Sequence, residues 1–226
     1  MRRFTDRRDA GRQLARRVRE HLEATRPDLI GGHPPDGPVV LALPRGGVPV
    51  AAEIARDLGA PLDVLVARKI GAPGQPELAI GALAGEDRPL FDARALEFLG
   101  LTEEGLTADV ARERTELHRR EDLYRGRRPP PELTGRTVVL VDDGLATGMT
   151  ARAALRALRR HGPATVLLAV PVASPSTAAA LAVEADDVLC LSRPPDFRAV
   201  GEWYDDFTQV SDEDVIDALH RTAAGR

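Results

Sequence analysis

Residues 137–150 read TVVLVDDGLATGMT, and this stretch decides the fold. The apolar run Val138–Val141 is typical of a strand buried on both faces of a parallel sheet. Two adjacent carboxylates, Asp142 and Asp143, follow it and lead into a turn of small and hydroxyl-bearing residues. From Thr150 onward, alanine and leucine recur at helical spacing until a Gly-Pro pair stops them. The pattern therefore predicts a strand, a tight turn and a helix in direct succession.

The turn is predicted to bind an anion. A helix N-terminus presents unpaired backbone N–H groups and the positive end of the helix dipole, so a phosphate is stabilised there without a lysine. Gly144 and Gly148 allow close approach of the backbone, and Thr147 and Thr150 can donate hydroxyl hydrogen bonds. The two carboxylates would repel a phosphate unless the ligand also carries a diol or a bound divalent cation. Ribose 5-phosphate derivatives meet both demands.

Residues 141–150 resemble the motif with which the type I phosphoribosyltransferases bind 5-phosphoribosyl 1-pyrophosphate (PRPP). The resemblance implies a Rossmann-like α/β fold, with a central, mainly parallel sheet flanked by helices. It implies transfer of the 5-phosphoribosyl group to a nitrogenous base with release of pyrophosphate, assisted by Mg²⁺. Asp142 and Asp143 would contact the ribose hydroxyls as catalytic residues and hold the metal, directly or through water. The residues that would wrap the 5′-phosphate are Gly144, Leu145, Ala146, Thr147, Gly148, Met149 and Thr150.

A second strand and turn repeat this plan. The apolar run Val39–Leu43 ends in Pro44-Arg45-Gly46-Gly47 before another predicted helix. In open α/β sheets, ligands lie beyond the carboxyl ends of the strands, where two such turns can face one ligand. Arg45 would supply a planar fork of donors for a diphosphate, and the glycines Gly46 and Gly47 would let backbone N–H groups reach it. The tetrapeptide resembles the pyrophosphate-binding loop of the same family, with an ordinary turn as the alternative.

A third segment, residues 67–77, places Arg68 and Lys69 before a Gly/Pro-rich stretch. This composition suits a mobile loop that closes over a polyanion and expels water. It resembles the flexible catalytic loop of the family. Lys69 is the better candidate for a catalytic contact to pyrophosphate, and Arg68 is the second. The alternative is a solvated loop with an ordinary surface lysine.

The acceptor is less well defined. Family members that use 6-oxopurines carry an Asp, thought to act at N7 of the base, where this chain has Ala146, so a general base of that type is in doubt. Adenine-type members also have a Leu-Ala-Thr-Gly turn. Trp203 and Tyr204 could stack on a base, although such residues more often anchor a tail to the core.

An enzyme is the primary hypothesis. The alternatives are a non-catalytic, PRPP-sensing protein of the same fold and, less favoured, a hydrolase of a ribosyl phosphate.

Strand-like runs alternate with helical periodicity along the 226 residues, which predicts one compact domain with a parallel sheet covered by helices, and the resemblance implies that this is a phosphoribosyltransferase domain. Helices are predicted near 6–24, 48–58, 150–161 and 175–184, with a terminal helix capped by Ser211. An insertion at about 92–125 is expected to form one or two helices carried as a flap or subdomain, and residues 192–226 a C-terminal hood or tail. The insertion and residues 197–207 are the two candidates for the hood that selects the acceptor. Strands are predicted at Val39–Leu43, Leu62–Ala67, Leu78–Leu83, Thr137–Val141, Thr165–Val170 and Val188–Leu191.

Charge and residue composition argue against several classes of partner and site. The net charge of −4 gives no electrostatic reason for binding nucleic acid or an acidic membrane. Arginines cluster within residues 2–19 and 112–128, interleaved with acids, which favours solvated helix faces over a nucleic-acid contact. Cys190 lies in an apolar run and is interpreted as a buried small hydrophobe. The five histidines lack metal-ligand spacing, which argues against a zinc hydrolase.

The sequence also gives expectations for the cellular location and the oligomeric state. No apolar stretch reaches the length of a transmembrane helix, and the Arg-rich start does not lead into the apolar core of a signal peptide. A cytoplasmic protein is the expectation, with PRPP and a nucleobase-like acceptor as partners. The resemblance is also compatible with a homodimer, although no interface can be assigned from the residues.

Overall fold

The computed structural model describes residues 3–30, 37–126 and 128–224. Within them the chain forms eight strands and seven α-helices. The strands are β1 (Val39–Ala42), β2 (Leu62–Val64), β3 (Ala67–Ala72), β4 (Gln75–Ala84), β5 (Leu90–Phe91), β6 (Thr137–Val141), β7 (Thr165–Val172) and β8 (Asp187–Ser192). The helices are α1 (Arg7–Thr25), α2 (Gly47–Leu58), α3 (Ala93–Leu99), α4 (Thr107–Arg125), α5 (Met149–Arg159), α6 (Pro175–Leu181) and α7 (Asp212–Ala224).

A five-stranded parallel sheet forms the centre of the fold, in the order β2-β1-β6-β7-β8. Every residue of β1 and β6 is buried, as expected for strands covered by helices on both faces. Apolar side chains pack on each side of the sheet in two large clusters. The predicted fold class, a mainly parallel sheet flanked by helices, is confirmed.

A separate three-stranded antiparallel sheet, β3-β4-β5, corrects two strand predictions. The predicted strand Leu62–Ala67 is divided, because β2 ends at Val64 and β3 begins at Ala67. The predicted strand Leu78–Leu83 lies in β4, outside the central sheet. The apolar run continues without interruption from one sheet into the other, so hydropathy alone could not reveal the change of sheet.

The predicted mobile loop at residues 67–77 is a β-hairpin. Arg68 and Lys69 lie within β3, opposite Leu83 and Ala82 of β4. The Gly/Pro-rich stretch supplies the ends of both strands and the two-residue turn between them, where Gly74 has a φ of +77°. Ile70 is fully buried and anchors β3 to the core. Loop composition was therefore the wrong guide here, because pairing with β4 satisfies the backbone of this segment.

The predicted helices are confirmed, and the insertion forms two α-helices that pack on the core. Its two helices, α3 and α4, place Leu96, Leu117 and Tyr124 in the same apolar cluster as β1 and α2. Ser211 caps α7 as predicted, since its hydroxyl accepts from the N–H of Asp214 at 3.1 Å. Two arginines of the predicted basic clusters, Arg2 and Arg127, lie outside the described residues. None of the described helices is long and apolar enough to cross a membrane.

Candidate active site

Two loops meet at the carboxyl edge of the parallel sheet. Ala42 at the end of β1 pairs with Val141 at the end of β6, so the loops that follow begin side by side. A Cβ added to Gly47 would lie 2.6 Å from the Val141 carbonyl oxygen, and one added to Gly46 would lie 2.0 Å from the Asp143 carboxylate. Only glycine fits this approach. The loop at 44–47, in which the peptide bond between Pro44 and Arg45 is cis, therefore packs directly against the two acids.

The turn after the acids enters α5 through Gly148, which has a φ of +70°. Among the described residues no side chain caps α5, and its first turn contains no acid. Thr177, at the start of α6, supports the turn from behind, since its hydroxyl donates to the Ala146 carbonyl at 2.6 Å. Ala146 and Thr147 are exposed. An open, uncapped helix N-terminus thus faces solvent at the point where the sequence predicts an anion.

Asp142 and Asp143 are two largely buried carboxylates on consecutive residues. The N–H of Asp143 donates to Oδ1 of Asp142 at 2.8 Å. Burial raises the pKa of Asp142 well above its usual range, and the neighbouring Asp143 raises it further. Burial also raises the pKa of Asp143, while Arg7 works against that shift. Hydroxyl donors or a hard cation at this point would stabilise the ionised pair.

Arg7 contacts Asp143, and the sequence interpretation missed this contact. Arg7 was grouped with the solvated arginines, yet it is only 9% exposed and its Nε donates to Oδ2 of Asp143 at 2.8 Å. Arg7 lies four residues before Gly11 and seven before Leu14, both buried on the inner face of α1. This spacing was the available signal, because residues four and seven apart share a helix face.

Arg45, the predicted diphosphate contact, is half-buried and faces the C-terminal helix. Its Nη1 lies 3.8 Å from Oδ1 of Asp212, the first residue of α7. The hydroxyl of Tyr124, in α4, donates to the same oxygen at 2.5 Å. Burial raises the pKa of Tyr124, and Asp212 adds to the shift, so this phenol stays a donor. The insertion and α7 therefore meet at the arginine of the 44–47 loop.

Arg68 and Lys69 are not brought to the two loops. Arg68 donates to Oε2 of Glu113 on α4, at 3.0 Å from Nε and 2.7 Å from Nη2. Lys69 is exposed, and both residues line a cleft of about 400 Å³ between the β3–β4 hairpin and α4. Within the described part of the chain, no hydrogen bond or ion pair joins either residue to 44–47 or 142–150.

Tyr204 and Trp203 have different surroundings. Tyr204 is 3% exposed, its ring lies 5.5 Å from that of Phe4 and 5.1 Å from that of Phe207, and its hydroxyl donates to the Asp143 carbonyl at 2.6 Å. The suggested stacking of Tyr204 on a base is therefore corrected, because its ring is enclosed. Burial and the nearby Asp143 raise its pKa. Trp203 is partly exposed, and its Nε1 is buried with no hydrogen-bond partner among the described residues.

Comparison with known proteins defines the family. A model of the phosphoribosyl transferase domain matches residues 6–207. Two Mycobacterium tuberculosis proteins, provisionally named phosphoribosyl transferases, are each 45% identical over 221 residues, covering 98% of this chain and 47% of their own length. The chain therefore spans about half the length of these curated relatives.

A solved structure extends the comparison to the fold. The crystal structure of TT1426 from Thermus thermophilus superposes with a TM-score of 0.75 at 46% identity, covering 97% of this chain and 98% of that chain. The two loops and the parallel sheet all lie within the matched residues. The chain therefore belongs to the phosphoribosyl transferase domain family.

Proposed function

We propose that this chain transfers the 5-phosphoribosyl group from PRPP to a nitrogenous base and releases pyrophosphate. The observation that carries the proposal is the close packing of the 44–47 loop against Asp142 and Asp143, beside the uncapped start of α5. PRPP carries a 5′-phosphate, a diol and a diphosphate on one ribose. The edge of the sheet offers, in the same succession, a helix N-terminus, two carboxylates and an arginine loop.

The 5′-phosphate is assigned to the turn formed by residues 144–150. Its oxygens would accept from the first N–H groups of α5 and from the hydroxyls of Thr147 and Thr150. The first turn of α5 carries no acid that would repel this group. Thr177 holds the Ala146 carbonyl, which fixes the turn before the ligand arrives. Such preorganisation lowers the entropic cost of binding.

The ribose and the diphosphate are assigned to the acids and the neighbouring loop. The carboxylates of Asp142 and Asp143 would accept hydrogen bonds from the ribose hydroxyls, and Arg45 would donate to the diphosphate. Two adjacent carboxylates with buried oxygens fit Mg²⁺, which is usually held by one or two carboxylates together with substrate phosphates and water. Bound there, Mg²⁺ would neutralise charge on the leaving diphosphate.

The reaction breaks the bond between C1′ and the diphosphate oxygen, whose electron pair leaves with pyrophosphate. A nitrogen of the acceptor then forms the new bond at C1′ while positive charge on the ribose ring subsides, and the proton that this nitrogen loses passes to the departing pyrophosphate or to water. Asp142 and Asp143 would stabilise that charge, and Arg45 would hold the departing group. Positioning of the two reactants supplies the rest of the acceleration, so no nucleophilic side chain is required.

The acceptor would bind beneath the C-terminal segment, residues 192–226, which we assign as the hood. Val200 packs so closely on Gly144 that a Cβ there would lie 2.6 Å from its Cγ1. The segment thus covers the turn that follows the acids. Trp203, which is partly exposed, remains the candidate for stacking on the base.

The test is release of pyrophosphate from PRPP in the presence of Mg²⁺ and a panel of purine, pyrimidine and pyridine bases. We expect stoichiometric pyrophosphate and a nucleoside monophosphate with at least one base. Binding of PRPP without turnover on any base would replace the enzyme with a PRPP-sensing protein. Failure to bind PRPP at all would remove both functions.

A further inference from the structure

Arg7 makes contacts in three directions around its planar guanidinium group. Its Nε donates to Oδ2 of Asp143 at 2.8 Å, and its Nη1 donates to the Thr208 carbonyl at 2.9 Å. The plane also lies over the ring of Phe207, with the Cζ atom 3.8 Å from the ring centroid. A lysine has one point charge on a flexible stem and could not satisfy these directions together.

The two acids of the site have different surroundings. The Asp143 carboxylate lies between Arg7 and Gly46. The backbone carbonyl of Asp143 accepts a hydrogen bond from the Tyr204 hydroxyl. No cationic side chain among the described residues contacts the Asp142 carboxylate. Asp143 is thus joined to the start of α1, to the C-terminal tail and to the 44–47 loop. Asp142 is partly buried, and among the described residues its Oδ1 accepts from the N–H of Asp143.

The N-terminal helix is itself held firmly enough to place Arg7. A Cβ added to Gly11 would lie 2.8 Å from the Val50 carbonyl, so α1 packs closely on α2. Asp6 caps α1 by accepting from the N–H of Asp9 at 2.6 Å. Because α2 begins at Gly47, directly after the arginine loop, the same pair of helices supports both sides of the Arg7–Asp143 contact.

We propose that Arg7 is a positioning residue that holds the Asp143 carboxylate against Gly46, so that the 44–47 loop and the ribose-binding acids keep one arrangement. Asp143 then has a second role, because it links the loops besides facing the ribose hydroxyls together with Asp142. The consequence for PRPP rests on the proposed function. The consequence for the loops does not, and it can be measured without ligand.

The first measurement is hydrogen exchange in the ligand-free protein. In Arg7→Met, which keeps a long apolar side chain, the amides of residues 43–48 and 142–145 should exchange about tenfold faster or more, while β7 and β8 exchange as in wild type. Arg8→Met is the matched control, because Arg8 is the exposed neighbour of Arg7 and makes no hydrogen bond to Asp143. Unchanged exchange at 43–48 in Arg7→Met would overturn the proposal, whatever the protein binds.

The second measurement is PRPP affinity below the unfolding temperature of every variant. Arg7→Lys and Arg7→Met should weaken PRPP binding about 10-fold to 100-fold, and Arg8→Met should bind as wild type does. In an Asp143→Asn background, Arg7→Met should have little further effect, since the partner is already changed. Wild-type affinity in folded Arg7→Met would sink the proposal while leaving the proposed function intact. Failure of wild type to bind PRPP would remove the proposed function and leave the exchange measurement to decide about Arg7.

Chemical rescue separates positioning from simple loss of stability. A cavity of about 740 Å³ between α1, α2 and α7 is lined by Arg7 and Arg8, so a small cation can approach the vacated position from that side. Guanidinium or methylguanidinium at millimolar concentration should restore PRPP binding to Arg7→Ala at least threefold, whereas tetramethylammonium, which donates no hydrogen bond, should not. Equal effects of both cations would count against a positioning role.

Discussion

The carboxyl edge of the parallel sheet and the β3–β4 hairpin both carry predicted ligand residues, but they are held in different ways. At the sheet edge the backbone of Gly46 and Gly47 touches Asp143 and Val141 with no room for a side chain. On the hairpin, Arg68 is held by a partly exposed ion pair with Glu113, and Lys69 extends into a cleft. Backbone packing is costly to rearrange, whereas a surface ion pair is worth little and exchanges easily. If ligand binds as proposed, the edge would therefore act as a preformed site, and the hairpin would be the part that adapts to the ligand.

The largest effect should follow from removing both carboxylates at the preformed edge. Asp142→Asn/Asp143→Asn should lower PRPP-dependent pyrophosphate release by about 10³-fold or more, because neither amide carries the negative charge that stabilises the transition state. The rate is measured by a coupled pyrophosphate assay at saturating PRPP.

Glu103→Gln/Glu104→Gln is the matched control, because these are also adjacent acids but are exposed in the connection between α3 and α4. It should retain nearly all of the wild-type rate. Full activity in the 142/143 variant would remove the assignment of the ribose site and with it the contrast between the edge and the hairpin.

The edge was predictable because its information is local. A continuous apolar strand, two acids and a Gly-rich turn occupy 14 consecutive residues, and the parallel-sheet rule then brings the 44–47 loop beside them. The contact of Arg7 was missed because its partner lies 136 positions away. Its helical spacing from Leu14 indicated burial, but no local pattern indicates which distant group a buried arginine will meet.

The hairpin was mispredicted for a related reason. Gly and Pro residues at 71–76 favour a loop, and the mostly apolar residues 62–67, with Asp63 as the one polar member, favour one strand. Both preferences are local, while the pairing of β3 with β4 and the packing of Ile70 are tertiary. Likewise Tyr204 carried an aromatic signal in the sequence, and only the fold showed its ring enclosed between Phe4 and Phe207.

A second test at the edge concerns the geometry of Arg45. Arg45→Lys keeps the charge but loses the planar fork, so kcat/KM for PRPP should fall about 10-fold to 100-fold and inhibition by pyrophosphate should weaken in parallel. Steady-state kinetics with pyrophosphate as product inhibitor give both values. Arg156→Lys provides the control, because Arg156 makes a bidentate ion pair with Glu184 and has no assigned contact to ligand. Equal pyrophosphate inhibition of wild type and Arg45→Lys would assign the diphosphate to other residues.

The hairpin can be tested by selective chemical modification, because Lys69 is the only lysine in the chain. If the hairpin closes on bound diphosphate, Lys69→Met should lower kcat about tenfold and change KM for PRPP less, since the contact forms mainly during reaction. Acylation of the Lys69 amine, followed by mass spectrometry of its peptide, should slow when PRPP and Mg²⁺ are bound.

Arg88→Met, in the exposed connection between β4 and β5, controls for loss of one positive charge on the same sheet. Its kcat should match wild type. Should Lys69→Met also match wild type, with its amine equally reactive in the presence of PRPP, the hairpin would be a structural element and the entire diphosphate site would lie at the sheet edge.

The smallest effect should come from behind the phosphate turn. Thr177→Val keeps the methyl group that lies beside Gly148 but loses the hydroxyl that donates to the Ala146 carbonyl. Loss of one neutral hydrogen bond should raise KM for PRPP about 2-fold to 10-fold and leave kcat nearly unchanged, because the turn binds the 5′-phosphate equally in the ground and transition states. Thr177→Ser, which retains the hydroxyl, should stay closer to wild type. A fall in kcat without a change in KM would mean that the turn acts on the reacting bond instead of on binding, and the edge would then be less preformed than its glycine contacts imply.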